Sequence, residues 1–210
     1  YDALSLFRNQ RHQSLDRDGV LGSEPALAPD GLVGGARYWD AATDDTRLTL
    51  ASALAAREAG ADMLALPEMF ITGYQTQDLV MKPAFARDAM AAVHALAARC
   101  AEGPAVAVGA PYLEGETLYN GYYILERGRI SAVVKKHHLP NDTVFDEQRL
   151  FEPADISGPY RVGPLVIGSP ICEDAWYDDV TEAQAESGAQ ILLVPNGSPY
   201  SRAKHDRRMG

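Results

Sequence analysis

Apolar residues come in short runs set between polar, glycine-rich and proline-rich stretches, and their spacing differs from run to run. Leu48, Leu50, Ala51, Leu54 and Ala55 recur at helical spacing. Asp44-Asp45-Thr46 reads as the start of that helix and Gly60 as its stop. Residues 61–66 are a compact apolar run ending at Pro67-Glu68, which predicts a short strand. After a polar, aromatic loop over residues 73–82, Pro83 opens a helix through Ala101, with Phe85, Ala89, Val93, Leu96 and Cys100 on one face. Cys100 therefore reads as a core residue.

Residues 105–109 predict a second buried strand, and residues 118–125 and 130–134, either side of Arg127-Gly128, predict a β-hairpin. Leu165-Val166-Ile167 is another strand, broken by Gly168 and Pro170. Asp179-Val-Thr-Glu182 has the form of a capping box for a helix ending at Gly188, and residues 191–194 form the last strand. Helices alternating with buried strands predict an α/β fold whose strand ends carry the site. Two stretches lack any period. Residues 1–42, rich in Gly, Pro, Asp and Arg, read as loop or a poorly ordered segment. Residues 135–158 read as a functional loop, since so long an irregular stretch in a compact domain seldom only connects.

Composition narrows the class of function. The chain has 210 residues, 46% hydrophobic and 23% charged, which suits one large globular domain. A net charge of -10 argues against a nucleic-acid surface. No apolar run approaches the roughly 20 residues that span a bilayer, so no membrane partner is expected. Two cysteines make no disulfide framework, which points to a reducing, cytoplasmic setting.

The candidate chemistry lies at three strand ends. Cys172 follows a strand directly and is followed by Glu173 and Asp174. A thiol reacts as thiolate, so two neighbouring acids would oppose its ionisation unless a cation from elsewhere meets it. Lys136 is such a cation at a second strand end, and Glu68 at a third could take the thiol proton. Singly, Glu68 and Lys136 read better as an ordinary acid and half of an exposed lysine pair, and Cys172 equally well as a buried hydrophobe. His137, His138, Asp142, Asp146 and Glu147 could be mistaken for a metal cluster, but they fit no standard zinc spacing, and adjacent histidine side chains are expected to diverge.

Five blocks carry a resemblance: LPEMFITGY (66–74), KHHLP (136–140), VFDEQRLF (144–151), ICED (171–174) and LVPNGSPYSRAKHDRR (193–208). Together they resemble the nitrilase, or carbon–nitrogen hydrolase, superfamily, and within it the glutaminase branch found in glutamine-dependent NAD synthetases. The resemblance implies a nitrilase-type α-β-β-α sandwich and a glutamine amidohydrolase that releases ammonia for NAD synthesis from nicotinic acid adenine dinucleotide. It assigns Cys172 as nucleophile, Glu68 as general base, Lys136 as the oxyanion-stabilising cation and Glu147 as the second glutamate that positions base and substrate. Tyr74, Glu173 and Ser198 fall where that branch contacts glutamine, and the Glu173 N–H is expected to complete an oxyanion hole. Rival readings are a free-standing amidase on another small amide and a non-catalytic fragment.

The same resemblance sets expectations about the rest of the molecule. Residues 1–45 are expected to be an atypical leader, loop-rich or disordered, and residues 46–210 a partial glutaminase domain, incomplete at both ends. The ATP-binding synthetase domain is the expected partner, and ATP and magnesium belong to it; the resemblance implies no cofactor and no metal in this chain. A homo-oligomer is expected. Apolar faces at Leu64, Val106 and Ile167 are expected to lie uncovered. Asp142 stands where the family often has tyrosine.

Overall fold

The structure is a computed structural model that describes residues 13–37, 45–142 and 145–197. The chain divides into two units, Tyr1–Thr43 and Asp44–Gly210. In the first, strand β1 (Gln13–Asp16) leads into helix α1 (Arg17–Ser23), and β1 pairs antiparallel with β2 (Gly34–Arg37). Asp16 caps the helix by accepting from the Gly19 N–H at 2.8 Å. The expectation of loop or poor order throughout residues 1–42 is therefore corrected over residues 13–23 and 34–37. No residue of this stretch is buried, so it is built from backbone pairing and a cap and carries none of the apolar period that betrays an element in sequence.

The second unit begins with α2 (Asp45–Glu58), whose expected cap at Asp44 lies outside the described residues. β3 (Met63–Ala65) and α3 (Pro83–Arg99) follow, then β4 (Ala105–Glu114), β5 (Thr117–Glu126) and β6 (Arg129–Lys135). These strands form one sheet in the order β3-β4-β5-β6, parallel at β3–β4 and antiparallel elsewhere. β4 runs well past the end expected at Gly109. It turns at Gly115, where φ is 64°, and pairs with β5 from Val106↔Leu125 to Glu114↔Thr117. Long-range ladder bonds here override the local signal of Gly109 and Pro111.

A second sheet holds β7 (Tyr160–Val162), β8 (Leu165–Gly168) and β9 (Ile191–Leu192), with β8 central. Between β8 and β9 lies α5 (Asp178–Glu186). Its N-cap is Tyr177 and no side chain caps it, so the expected capping box at 179–182 does not form. Asp179 instead turns its carboxylate to His138 and to the Val180 N–H.

Alternation along β4 and β5 explains the layering. Ala105, Ala107, Tyr122 and Ile124 face the second sheet, where Tyr160, Val162, Ile167 and Ile171 meet them. Val106, Val108, Ala110, Tyr123 and Leu125 face the helices, packing on Ala53 of α2 and on Val93, Leu96 and Ala97 of α3. A strand buried on both faces reads as a continuous apolar run, which is what residues 105–110 are. Gln184 of α5 presses on Gly168 of β8, so that helix covers the far face of the second sheet. The result is a helix–sheet–sheet–helix sandwich. Val106 is fully buried and Ile167 nearly so, correcting the expectation that these faces lie uncovered: α3 covers one and the first sheet the other. Cys100 is half-buried against the helix–sheet core, where burial raises its thiol pKa. Among the described residues, no helix is long and apolar enough to cross a membrane.

One contact brings the first strand end into the site. The chain beyond β3 continues along β4: Leu66 N–H donates to the Ala107 carbonyl (2.8 Å), Gly109 N–H to Pro67 (3.1 Å), and Ile71 N–H to Gly109 (3.1 Å). A Cβ at Gly109 would lie 2.1 Å from the Met69 nitrogen and 2.7 Å from the Glu68 carbonyl carbon, an approach only glycine permits. Gly109→Ala should therefore cost on the order of 3 kcal/mol or more, above the usual range for overpacking because backbone must move. Gly115→Ala, at a positive φ in open space, should cost about 1 kcal/mol. Thermal melts of the two variants check this ranking; equal losses would contradict it.

Candidate active site

Three chain segments leave the sheets toward one another, and each delivers a buried polar side chain. Glu68 stands just past β3, Lys136 one residue past β6, and Cys172 at the start of a 3-10 turn, Cys172–Trp176, soon after β8. Glu147 opens the short helix α4 (Glu147–Leu150). All four are buried, Lys136 completely.

Lys136 is the hub. Its Nζ donates to Glu68 Oε1 at 2.7 Å and lies 3.0 and 2.9 Å from the two oxygens of Glu147. Burial by itself would lower the lysine pKa, but the two carboxylates and the nearby Cys172 sulfur outweigh it and hold the pKa above the ordinary lysine value. With two acids sharing one ammonium, a proton is held more readily than usual by one of them. Burial lifts the Glu147 pKa, and the Glu68 charge adds to that, while Lys136 opposes it. Tyr74 donates its hydroxyl to Glu147 Oε1 at 2.6 Å; burial, then the Glu147 charge, raises the phenol pKa far above its usual value.

Glu68 is fixed on every side. Asn120 Nδ2 donates to Oε1 at 2.8 Å, and the Gly197 N–H donates to Oε2 at 2.8 Å. A Cβ at residue 197 would fall 2.9 Å from the Tyr74 ring and 3.1 Å from Glu68 Oε2, so glycine is what lets this backbone approach. Cys172 has a positive φ of 50°, rare for a non-glycine residue, and its N–H donates to the Pro195 carbonyl at 2.9 Å. That bond ties the cysteine turn to the segment following β9.

Asn120 and Asp174 are members of this site that sequence reasoning missed. Asn120 lies mid-strand in an apolar run, and only the β4–β5–β6 register turns it toward Glu68. Asp174 was read as a neighbour of the thiol, yet its side chain is buried and accepts backbone N–H groups from His137, His138 and Ile171. An isolated polar residue in an apolar strand was the one available signal for Asn120.

The remaining expected contacts fall around the cluster. Glu173, His137, His138, Tyr177, Gln148 and Phe151 line part of a cavity of about 440 Å³, adjacent in sequence to both Lys136 and Cys172. A larger cavity of about 510 Å³, lined among others by Met81, Glu116, Tyr119 and Arg149, contains none of the buried ionisable groups. Ser198 lies outside the described residues. Asp142 is exposed, and its carbonyl accepts from the Phe145 N–H.

The five-residue acid and histidine grouping read from sequence does not assemble. Glu147 belongs to Lys136, and Asp146 pairs with Arg149. The two histidines do not diverge as expected: their rings meet edge to face at 4.5 Å and both Nε2 atoms turn to Asp179, at 3.9 and 2.9 Å. His137, His138 and Asp179 are the one group among the described residues whose ligand atoms could gather about a metal ion. The His138 ring nitrogen is already engaged by both Asp179 oxygens, and the hydrogen bond holds the Asp179 pKa below its ordinary value. None of the three takes part in the Lys136 cluster.

The carbon–nitrogen hydrolase family model matches residues 31–210, earlier in the chain than the motif blocks reach. The glutamine-dependent NAD(+) synthetase of Rhodobacter capsulatus is 58% identical over 154 residues, covering 73% of this chain and 28% of that protein. The enzyme of the same name from Xanthomonas campestris pv. campestris is 37% identical over 171 residues, 80% of this chain and 31% of that one. The chain thus spans under a third of the length of these relatives. Among solved structures, the glutamine-dependent NAD+ synthetase of Acinetobacter baumannii in complex with ADP superposes with a TM-score of 0.71 at 27% identity, covering 78% of this chain and 31% of that one. A carbon-nitrogen hydrolase from Helicobacter pylori shares the fold, with a TM-score of 0.63 at 24% identity, over 78% of this chain and 58% of that one.

The ion cluster has a measurable signature. Because the folded pKa of Lys136 lies above its unfolded value, its pairing stabilises the fold fully at neutral pH and is lost only as pH rises through the folded value. Glu147→Gln removes one of the two opposing carboxylates, so burial gains weight and the lysine pKa should fall. NMR of selectively ¹⁵N-labelled lysine should record Lys136 titrating at lower pH in the variant; an unchanged or raised value would contradict the pairing.

Proposed function

We propose that this chain, which belongs to the carbon–nitrogen hydrolase family, hydrolyses the side-chain amide of glutamine through Cys172, Glu68 and Lys136. The observation that supports this most is the complete burial of Lys136 between two carboxylates, within the field of the Cys172 sulfur. A lysine that merely decorated a surface would have no cause to be desolvated so fully.

In this reading Glu68 takes the thiol proton as the sulfur attacks the amide carbon. The carbonyl oxygen gains negative charge, which Lys136 Nζ and the Glu173 N–H stabilise. Glu68 returns its proton to the nitrogen, the C–N bond breaks, and ammonia leaves a thioester on Cys172. Water then gives a proton to Glu68 and attacks the thioester carbon. Glutamate departs, and the sulfur recovers its proton. Glu147 keeps Lys136 in place and, with Asn120, the oxyanion wall and the base stay in register. Glu68 is held by three donors from three segments, the Asn120 amide, the Lys136 ammonium and the Gly197 N–H, which suits a group that must shuttle one proton twice without changing position.

The name of these relatives carries the proposal one step further. In a longer protein of that kind, the ammonia released here would be consumed in making NAD, with ATP and magnesium handled by a separate synthetase domain. Tyr74, Glu173 and Ser198 are proposed to contact glutamine.

Two experiments test the assignment. Cys172→Ala should abolish glutamate release from glutamine with little change in melting temperature, since it removes the nucleophile and little volume. Release at the wild-type rate in that variant would rule the nucleophile out. Lys136→Met should lower kcat at least a hundredfold, the scale of losing one oxyanion donor. Lys135→Met should be mild, because its Nζ points away, 3.2 Å from Glu114 and over the Tyr119 ring. Equal losses from the two lysine variants would identify the wrong cation.

A further inference from the structure

Asp174 is an acid with no proton to move in the reaction above, yet it is as buried as the groups that move them. Its carboxylate has three partners, all backbone N–H groups. Oδ1 accepts from His137 at 3.1 Å and from His138 at 2.7 Å. Oδ2 accepts from Ile171 at 3.0 Å, and the Asp174 N–H returns a bond to the Ile171 carbonyl at 3.1 Å. His137 and His138 are the two residues after Lys136, where the chain has left β6 and its N–H groups have lost their ladder partners. Ile171 is the residue before Cys172.

We infer that Asp174 is a positioning residue: one carboxylate clamps the segment bearing Lys136 to the segment bearing Cys172 and so sets the distance between ammonium and sulfur. The inference rests on the reading of those two groups as oxyanion cation and nucleophile. The geometry gives the reason for an aspartate. Three converging donors need an acceptor with two oxygens and no hydrogen, and among short side chains only a carboxylate has both. Asparagine has the same shape, but its amide NH₂ must face either Ile171 N–H or the histidine N–H pair, donor against donor, so one side of the clamp opens. Other contacts anchor each segment separately. Lys136 N–H donates to the Asn120 carbonyl, its carbonyl accepts from Ala154, and Cys172 N–H donates to Pro195. The three bonds to Asp174 join one segment directly to the other.

The test compares Asp174→Asn and Asp174→Glu with Val180→Ala, a core truncation in α5 that destabilises without touching the clamp. Two quantities are read on each purified variant and the wild type. One is the pH midpoint of Cys172 alkylation by iodoacetamide, followed at the Cys172 peptide by mass spectrometry so that Cys100 does not interfere. The other is kcat and KM for glutamate release. Asp174→Glu, which keeps the charge, should move the alkylation midpoint to higher pH, because the ammonium no longer sits at the same distance from the sulfur. Asp174→Asn also removes an acid beside the thiol, which acts in the opposite direction, and is read on kcat. It should lower kcat about a hundredfold, the scale of a misplacement near 1 Å, with KM changed far less. Val180→Ala should lower the melting temperature and leave both quantities as they are. If Asp174→Asn does not fold, Asp174→Glu carries the kcat test as well, since an extra methylene cannot hold both segments at one separation. An Asp174→Glu whose alkylation midpoint overlays the wild type, an Asp174→Asn with unchanged kcat, or a Val180→Ala that reproduces their shifts would overturn the inference. The alkylation profile reports the coupling of Lys136 to Cys172 whatever amide is hydrolysed. A failed glutaminase reading would instead appear as wild-type protein that alkylates normally and releases no glutamate.

Discussion

One buried ammonium sets the terms for the second unit of this protein. Taking Lys136 out of water costs several kcal/mol unless charged partners meet it at hydrogen-bond distance. Two do, and each arrives from a different part of the chain: Glu68 from the end of β3 and Glu147 from the start of α4. Removing either partner would leave a charge buried without its partner, a loss on the order of 3 to 5 kcal/mol. The sheets are thus required to end where they do, because a strand one residue longer or shorter would aim these side chains at the opposite face.

The same constraint accounts for features that look unrelated. Gly109 lies under the Glu68 turn so that backbone can touch backbone, and Gly197 approaches Glu68 closely enough to donate to it. Cys172 adopts a left-handed φ, held there by Pro195 on one side and the Asp174 turn on the other. Strain of this kind costs about 1 to 3 kcal/mol and persists where surrounding bonds over-determine it. Here they do. An excess of one acid in the cluster is met by a raised Glu147 pKa and by the Tyr74 hydroxyl.

Layering follows from a simpler rule. β4 and β5 bury both faces, one against helices and the other against a second sheet, so the interior of the sandwich lies between sheets that differ in size and topology. The ion cluster stands where the strands of these two sheets end, which keeps it dry without placing it in the apolar core. Outside that frame, the unit of residues 13–37 shows that a helix and a strand pair can form with no buried side chain at all.

Much of this was legible in the residues. Helix α3 announced itself by its apolar face and Pro83, the doubly buried β4 by its unbroken apolar run, and Glu68, Lys136 and Cys172 by standing where such runs stop. Period and punctuation are local properties, and sequence alone is enough to determine them. What a buried polar group bonds to is another matter. Asn120 meets Glu68 only because β5 is registered between β4 and β6, and Asp174 reaches three N–H groups only because two loops cross in space. The Asp179 carboxylate reaches from its own helix terminus to His138 for the same reason, and β4 outran Gly109 because β5 supplied the missing ladder. Sequence determined which reactive groups stand at which strand ends. Only the tertiary structure decided how far apart they stand and what holds them there, because those distances are fixed by bonds between residues far apart in the chain.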